Sequence, residues 1–257
     1  MGLVAWGACT AASSGVLGRS SPVRVAAASD LMLAFSDLGR DFEQQSGNPK
    51  VVFGFGSSGL LARQVGQGAP FDVFAAADRS FVDQEGVAGA ACDPATRATF
   101  ALGRLAIWTR SGPGVAAPPA SVRDVAAARF VRIAIANPDY APYGRAAREA
   151  LETSGVWDEV RGRVIFAENV RHALQLAETG NAEAAFVALS LARMATNGTW
   201  PLVDQALHAP IEQVLIACRR GANPEAGKKF AQFVMSVPGR IVMQRHGFTP
   251  PRQSPSF

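Results

Sequence analysis

Along this chain, short apolar runs alternate with segments whose apolar residues recur at helical spacing. Val23 to Ala28 is a run of strand length, and Ser29-Asp30 after it reads as a helix start. Leu31, Ala34, Phe35, Leu38 and Phe42 then fall on one helical face, closed by Gly47. Val51-Val52-Phe53 predicts a second strand, and a helix is expected from Ser58 to Gln67, ended by Gly68-Ala69-Pro70. Asp72 to Ala75 predicts a third strand, with Asp78 as an N-cap for a helix over Arg79 to Gln84. A longer apolar run, Phe100 to Thr109, ends in the loop Ser111-Gly112-Pro113-Gly114, extended by Pro118-Pro119. The alternation then resumes, with a helix from Ser121, a strand over Val131 to Ala136 and a helix near Ala141 to Ser154. A strand over Arg163 to Ala167, a helix over Asn169 to Thr179 and a strand over Ala185 to Ala188 follow. The apolar run Val214 to Ala217 and helices over Pro224 to Met235 and Pro238 to His246 close the chain. Strand–helix alternation of this length predicts an α/β protein with mostly parallel sheets.

One junction carries chemistry. Phe53-Gly54-Phe55-Gly56-Ser57-Ser58-Gly59 joins a strand to a helix, where the first helical turn offers unpaired N–H groups and the positive end of the helix dipole. That is an anion site. The spacing Gly54-x-Gly56-x-x-Gly59 also fits a dinucleotide fingerprint, with Asp78 about twenty residues on. A dinucleotide enzyme, however, normally carries its fingerprint in the first βαβ unit, and here a complete strand–helix unit precedes it. Similar strand-to-helix junctions recur at Ala28-Ser29-Asp30, Pro138 to Gly144 and Glu168-Asn169-Val170. Ligands of open α/β sheets bind outside the carboxyl ends of strands, where such helix starts converge. Two lobes facing each other, each with two of these junctions, would surround a small anion with backbone donors.

Composition removes several classes. A chain of 257 residues with 48% hydrophobic and 18% charged residues can bury one large core or two modest ones. The net charge of +4 is spread over scattered arginines rather than gathered into a basic face, which excludes nucleic-acid binding as the main role. No apolar run reaches the roughly eighteen residues of a membrane span. Residues 1–22 read as a leader, although they lack a basic n-region and have only a short apolar core. Within them, Ala8-Cys9 in a small-residue run marks Cys9 as a candidate lipid anchor. Cys92 and Cys218 read equally well as a disulfide in an oxidising compartment or as two small hydrophobes. The three histidines, His172, His208 and His246, have no carboxylate or nucleophile at a suggestive spacing, and no cluster has metal-ligand spacing. Ser57-Ser58 lacks the frame of a nucleophile elbow. No enzyme and no cofactor are expected.

Several segments in order resemble the periplasmic molybdate-binding proteins. They are Val25-Ala26-Ala27-Ala28-Ser29, Phe55-Gly56-Ser57-Ser58-Gly59 and the stretch from Gly68 to Asp78. Asn137 to Gly144, Glu168-Asn169-Val170, Phe186 to Ser190 and Gly247-Phe248 complete the match. The resemblance implies a two-lobed type II periplasmic binding protein, with mixed sheets, flanking helices and a ligand cleft between lobes. It implies one lobe from 23–103 plus 208–257 and the other from 104–207, with the crossovers near Phe100 to Thr109 and Val214 as the hinge. The implied ligand is molybdate or tungstate, held as the intact oxyanion with no protein ligand on the metal, and the implied partner is an ABC permease. The implied protein is a monomer outside the cytoplasmic membrane. Carried over by position, Ser29 and Ser58 are hydroxyl donors, while Tyr143 and Val170 offer backbone N–H groups. Where the family often has a tyrosine, this chain has Ala188, so the Tyr143 hydroxyl is expected to supply the missing contact. Asp30 is a second departure, read as a helix-start carboxylate turned away from the ligand while its N–H faces it. An inward Asp30 carboxylate would instead receive the remaining proton of a phosphate-like ligand; the alternative ligand is another tetrahedral oxyanion, sulfate or phosphate-like. Arg63, Arg145 and Arg171 are read as solvated helix residues that raise the local potential.

Overall fold

The computed structural model describes residues 21–112 and 117–251. The expected leader up to Ser20, with Cys9, and the Pro113-Gly114 part of the loop lie outside them. In chain order the strands are β1 (Val23–Ala28), β2 (Val51–Gly56), β3 (Val73–Ala76), β4 (Ala98–Gly103) and β5 (Leu105–Arg110). They continue as β6 (Ile133–Ala136), β7 (Val164–Ala167), β8 (Ala184–Ala188), β9 (Gly198–Thr199) and β10 (Ile211–Ala217). The helices are α1 (Met32–Glu43), α2 (Ser58–Gly66), α3 (Arg79–Val82), α4 (Pro142–Thr153) and α5 (Trp157–Val160). After them come α6 (Val170–Glu178), α7 (Leu189–Ala192), α8 (Pro224–Met235) and α9 (Val237–Arg245).

The strands form two five-stranded sheets, ordered β2-β1-β3-β10-β4 and β7-β6-β8-β5-β9. Each sheet is the centre of one lobe. The expectation of mostly parallel sheets is corrected. β1 runs parallel to β2 and β3, and β6 to β7 and β8, but β10 is antiparallel to β3 and β4, and β5 to β8 and β9. The cause lies in the crossovers. β5 enters the second sheet straight from β4 and β10 returns from the second lobe, so neither comes through a parallel βαβ unit.

The apolar run Phe100 to Thr109 is split between the sheets, with Arg104 alone between β4 and β5. On the first sheet, α1 buries Ala34, Phe35, Leu38 and Phe42 at the predicted spacing. Phe35 and Phe42 each meet Phe230 of α8 edge-on, with ring centroids 6.1 and 5.4 Å apart, so the C-terminal helices complete the first lobe's core. The helix expected from Ser121 is a 3-10 turn over Val122–Ala126, held by a capping box between Ser121 and Asp124. The helical turn Glu85–Ala91 and the short α7 have no periodic apolar signal and were not expected.

Candidate functional site

Four strand ends meet where the lobes face each other. A small cavity there is lined by Ser29, Asp30, Ser58, Tyr143 and Val170, together with Ala28, Gly56, Ser57, Ala77, Ala141 and Pro142. All five residues singled out in the sequence therefore share one lining, with Ser57 added. Larger hollows lie elsewhere, one of them beside Arg104 and His208, but none of the five residues singled out in the sequence lines them.

Each wall is a helix start. Ser58 opens α2 and is fully buried; its Oγ accepts the Ala77 N–H at 3.1 Å, which leaves the hydroxyl proton free. Ser57 takes extended backbone at the N-cap of α2, and its Oγ is buried without a partner. Tyr143 follows Pro142 at the start of α4, so its N–H has no acceptor within that helix. Val170 opens α6 behind Asn169, whose side chain caps the His172 N–H at 3.0 Å. Among the described residues the lining contains no lysine, arginine or histidine. Hydroxyls, free N–H groups and three helix starts are its donors, beside the carboxyl of Asp30.

Asp30 is 1% exposed, and its Oδ2 accepts from Gln213 Nε2 at 2.8 Å. Burial raises its carboxyl to about 7, against the pull of Tyr143, Gln213 and nearby N–H groups. The Tyr143 phenol is held well above its ordinary range by burial and by the adjacent Asp30, so it stays a donor. Its hydroxyl lies beside Asp30, and a Cβ on Gly103 would sit 2.2 Å from it. The phenol thus reaches the crossover at Gly103 and Gln213.

The glycine motif works differently from its expectation. Gly54 and Gly56 belong to β2, paired with Ala26 and Ala28, and neither they nor Gly59 has a positive φ. There is no glycine loop to wrap a pyrophosphate. Gly59 is the constrained position, because an added Cβ would lie 2.7 Å from Tyr140 Cβ and 2.9 Å from the Phe81 ring. Its N–H donates to the Tyr140 carbonyl across the cleft at 2.9 Å. Two more ties span the lobes: Ser190 Oγ donates to the Asp30 carbonyl at 2.8 Å, and Arg145 pairs with Asp78 at 2.9 Å. The lobes are closed. Arg145, expected to be a solvated helix residue, is an interlobe residue; Arg171 pairs with Glu178 and Arg63 is exposed.

Residues 23–249 match the model of a family described as bacterial extracellular solute-binding proteins. The chain belongs to that family. It is 32% identical to the molybdate-binding protein ModA of Rhodobacter capsulatus over 215 residues, covering 82% of each chain. It is 31% identical to ModA of Azotobacter vinelandii over 238 residues, covering 90% of each. The solved periplasmic molybdate-binding protein of Azotobacter vinelandii superposes with a TM-score of 0.80 at 26% identity, covering 90% of this chain and all of that one. The two-lobed type II architecture is that of this solute-binding protein family.

Proposed function

We propose that this protein captures molybdate or tungstate outside the cytoplasmic membrane and delivers it to an ABC permease. The observation that carries this reading is a small cavity lined by hydroxyls and helix starts from both lobes, with no basic side chain among the described residues that line it. A fully ionised tetrahedral dianion only accepts hydrogen bonds, so a lining rich in hydroxyls and helix-start N–H groups suits it without a contacting arginine. In this reading Ser29 and Ser58 donate through hydroxyls, Tyr143 and Val170 through N–H groups, and Asp30 through its N–H. Ser57 joins them with its unpaired hydroxyl. The names of the molybdate-binding relatives support the same ligand.

The lobes divide as 23–103 with 208–257, and 104–207, with the hinge at the two crossovers. The protein acts by binding and closure, as a monomer and not as an enzyme, and carries no cofactor. A location outside the cytoplasm agrees with the Cys92–Cys218 disulfide, and Cys9 is the residue through which it would be lipid-anchored. Among the described residues no helix is long and apolar enough to cross a membrane. One Asp30 oxygen accepts from Gln213, which leaves the other as the acceptor that a phosphate-like ligand would need for its remaining proton. Calorimetry with molybdate, tungstate, sulfate and phosphate tests the proposal. Tight binding of the first two is expected, and sulfate or phosphate binding as tightly would overturn it.

A further inference from the structure

Beneath the anion cavity, Asp30, Gln213 and Tyr143 form a cluster that the donor lining does not explain. They are 1%, 0% and 2% exposed, respectively. The bond from Gln213 Nε2 to Asp30 Oδ2 is made, but Asp30 Oδ1, Gln213 Oε1 and the Tyr143 hydroxyl are all buried without partners. The carboxylate and amide oxygens can only accept. Two buried acceptors, Asp30 Oδ1 and Gln213 Oε1, thus face one unpaired donor, the Tyr143 O–H; the cluster is one donor short, and a proton on the Asp30 carboxyl supplies it.

Charge leads to the same place. The turn holding Asp30 packs against α1, α6 and α7. On α1, Asp37 is engaged by Arg40 and His246, while Asp41 and Glu43 are further carboxylates. On α6, Arg171 is held by Glu178, and His172 Nδ1 accepts the Glu168 N–H. On α7, Ser190 bonds the Asp30 carbonyl and leaves the carboxylate alone. From α4 comes Tyr143, with Arg145 tied to Asp78, and β10 contributes the neutral Gln213, with Glu212 beside it in the chain. Among the described residues no cation pairs with Asp30. An ionised Asp30 next to a bound dianion would put three negative charges in a site whose lining holds no basic side chain.

We propose that Asp30 is the proton-binding residue of the cleft, and that capture of an oxyanion dianion takes up one proton there. This rests on the molybdate reading and gives it a further specificity. A neutral Asp30 completes a floor without spare acceptors, so an anion that brings its own proton finds no place for it. The free protein stands ready for this step, since burial already brings the Asp30 carboxyl to about 7, and an adjacent dianion raises it further.

The test is calorimetry of the full chain with sodium molybdate, in paired buffers of different ionisation enthalpy. Near pH 8, uptake approaching one proton per anion is expected, and it falls away near pH 6, where the free protein already holds the proton. Above neutrality, Kd should rise by up to about tenfold per pH unit. Asp30→Asn should bind with no proton uptake and with a Kd that no longer follows pH. Molybdate binding without proton uptake near pH 8, or uptake that survives in Asp30→Asn, overturns the proposal. The wild-type proton count decides even if the variant does not fold. Failure of molybdate to bind at any pH would instead remove the molybdate reading, and this proposal with it.

Discussion

Ser57 and Ser58 are adjacent in sequence but hold different positions in the hydrogen-bond network. Ser58 Oγ accepts from the Ala77 N–H, whereas Ser57 Oγ is buried and unpartnered. Ser58→Ala should therefore weaken molybdate binding by about 1–3 kcal/mol and also lower the melting temperature, because the Ala77 N–H loses its acceptor. Ser57→Ala should weaken binding while leaving the ligand-free melt nearly unchanged. An unaltered Kd for Ser57→Ala would exclude its hydroxyl from the site. The pairing of these roles was not legible in sequence, since a hydroxyl doublet at a helix start does not say which oxygen the next strand engages. Asp30 was legible as a departure, but its partner Gln213 lies 183 positions away, with no local signal. Its titration also acts on stability. With the carboxyl raised from 3.8 to about 7, the folded protein holds this proton more tightly than the unfolded chain. Its stabilising share is thus complete below about pH 4 and is lost as pH rises to about 7, up to about 4 kcal/mol in all. Melts of ligand-free wild type and Asp30→Asn across that window should diverge accordingly, and parallel curves would mean that Asp30 titrates normally.

At the level of elements, the glycine motif shows what a spacing can and cannot convey. Gly54-x-Gly56-x-x-Gly59 has the form of a phosphate loop, yet its first two glycines are strand residues whose added Cβ would meet only ordinary contacts, none nearer than 3.4 Å. Gly59 alone is needed, for the approach of Tyr140 and Phe81 from across and beside the cleft. Gly54→Ala should leave affinity unchanged. Gly59→Ala should destabilise the closed form by about 1–3 kcal/mol through overpacking and weaken molybdate accordingly, with the fold retained by circular dichroism. Equal effects of the two substitutions would refute the closure role. Helices and strands with a full apolar face were legible: Pro224–Met235 was read to its ends because Pro224 marks the start and the buried face is continuous. Sheet direction was not, because it depends on where β5 and β10 enter from the crossovers. The Cys92–Cys218 bond joins residues 126 positions apart, a separation that by itself leaves pairing undecided.

For the whole molecule, the ties across the cleft decide how firmly closure holds the anion. The Gly59–Tyr140 bond is backbone to backbone, and the Ser190 hydroxyl bonds the carbonyl of Asp30 within the site, so Arg145–Asp78 is the tie that can be removed without disturbing the lining. Asp78 also caps α3 through the Ser80 N–H at 2.7 Å, so changing it would disturb two structures at once. Arg145 is the better probe. Its guanidinium lies 5.5 Å from the Phe81 ring centroid, and the ion pair is partly exposed, with side chains 40% and 26% accessible. A pair so placed contributes about 0–1 kcal/mol and is screened by salt. Arg145→Gln should raise the molybdate Kd by up to about fivefold at low ionic strength, mainly through faster release, since closure governs escape more than encounter. The difference from wild type should shrink as salt is added. Stopped-flow release at low and high salt separates the causes. A loss that persists undiminished in high salt would mean that packing against Phe81, and not the charge of Arg145, holds the lobes together.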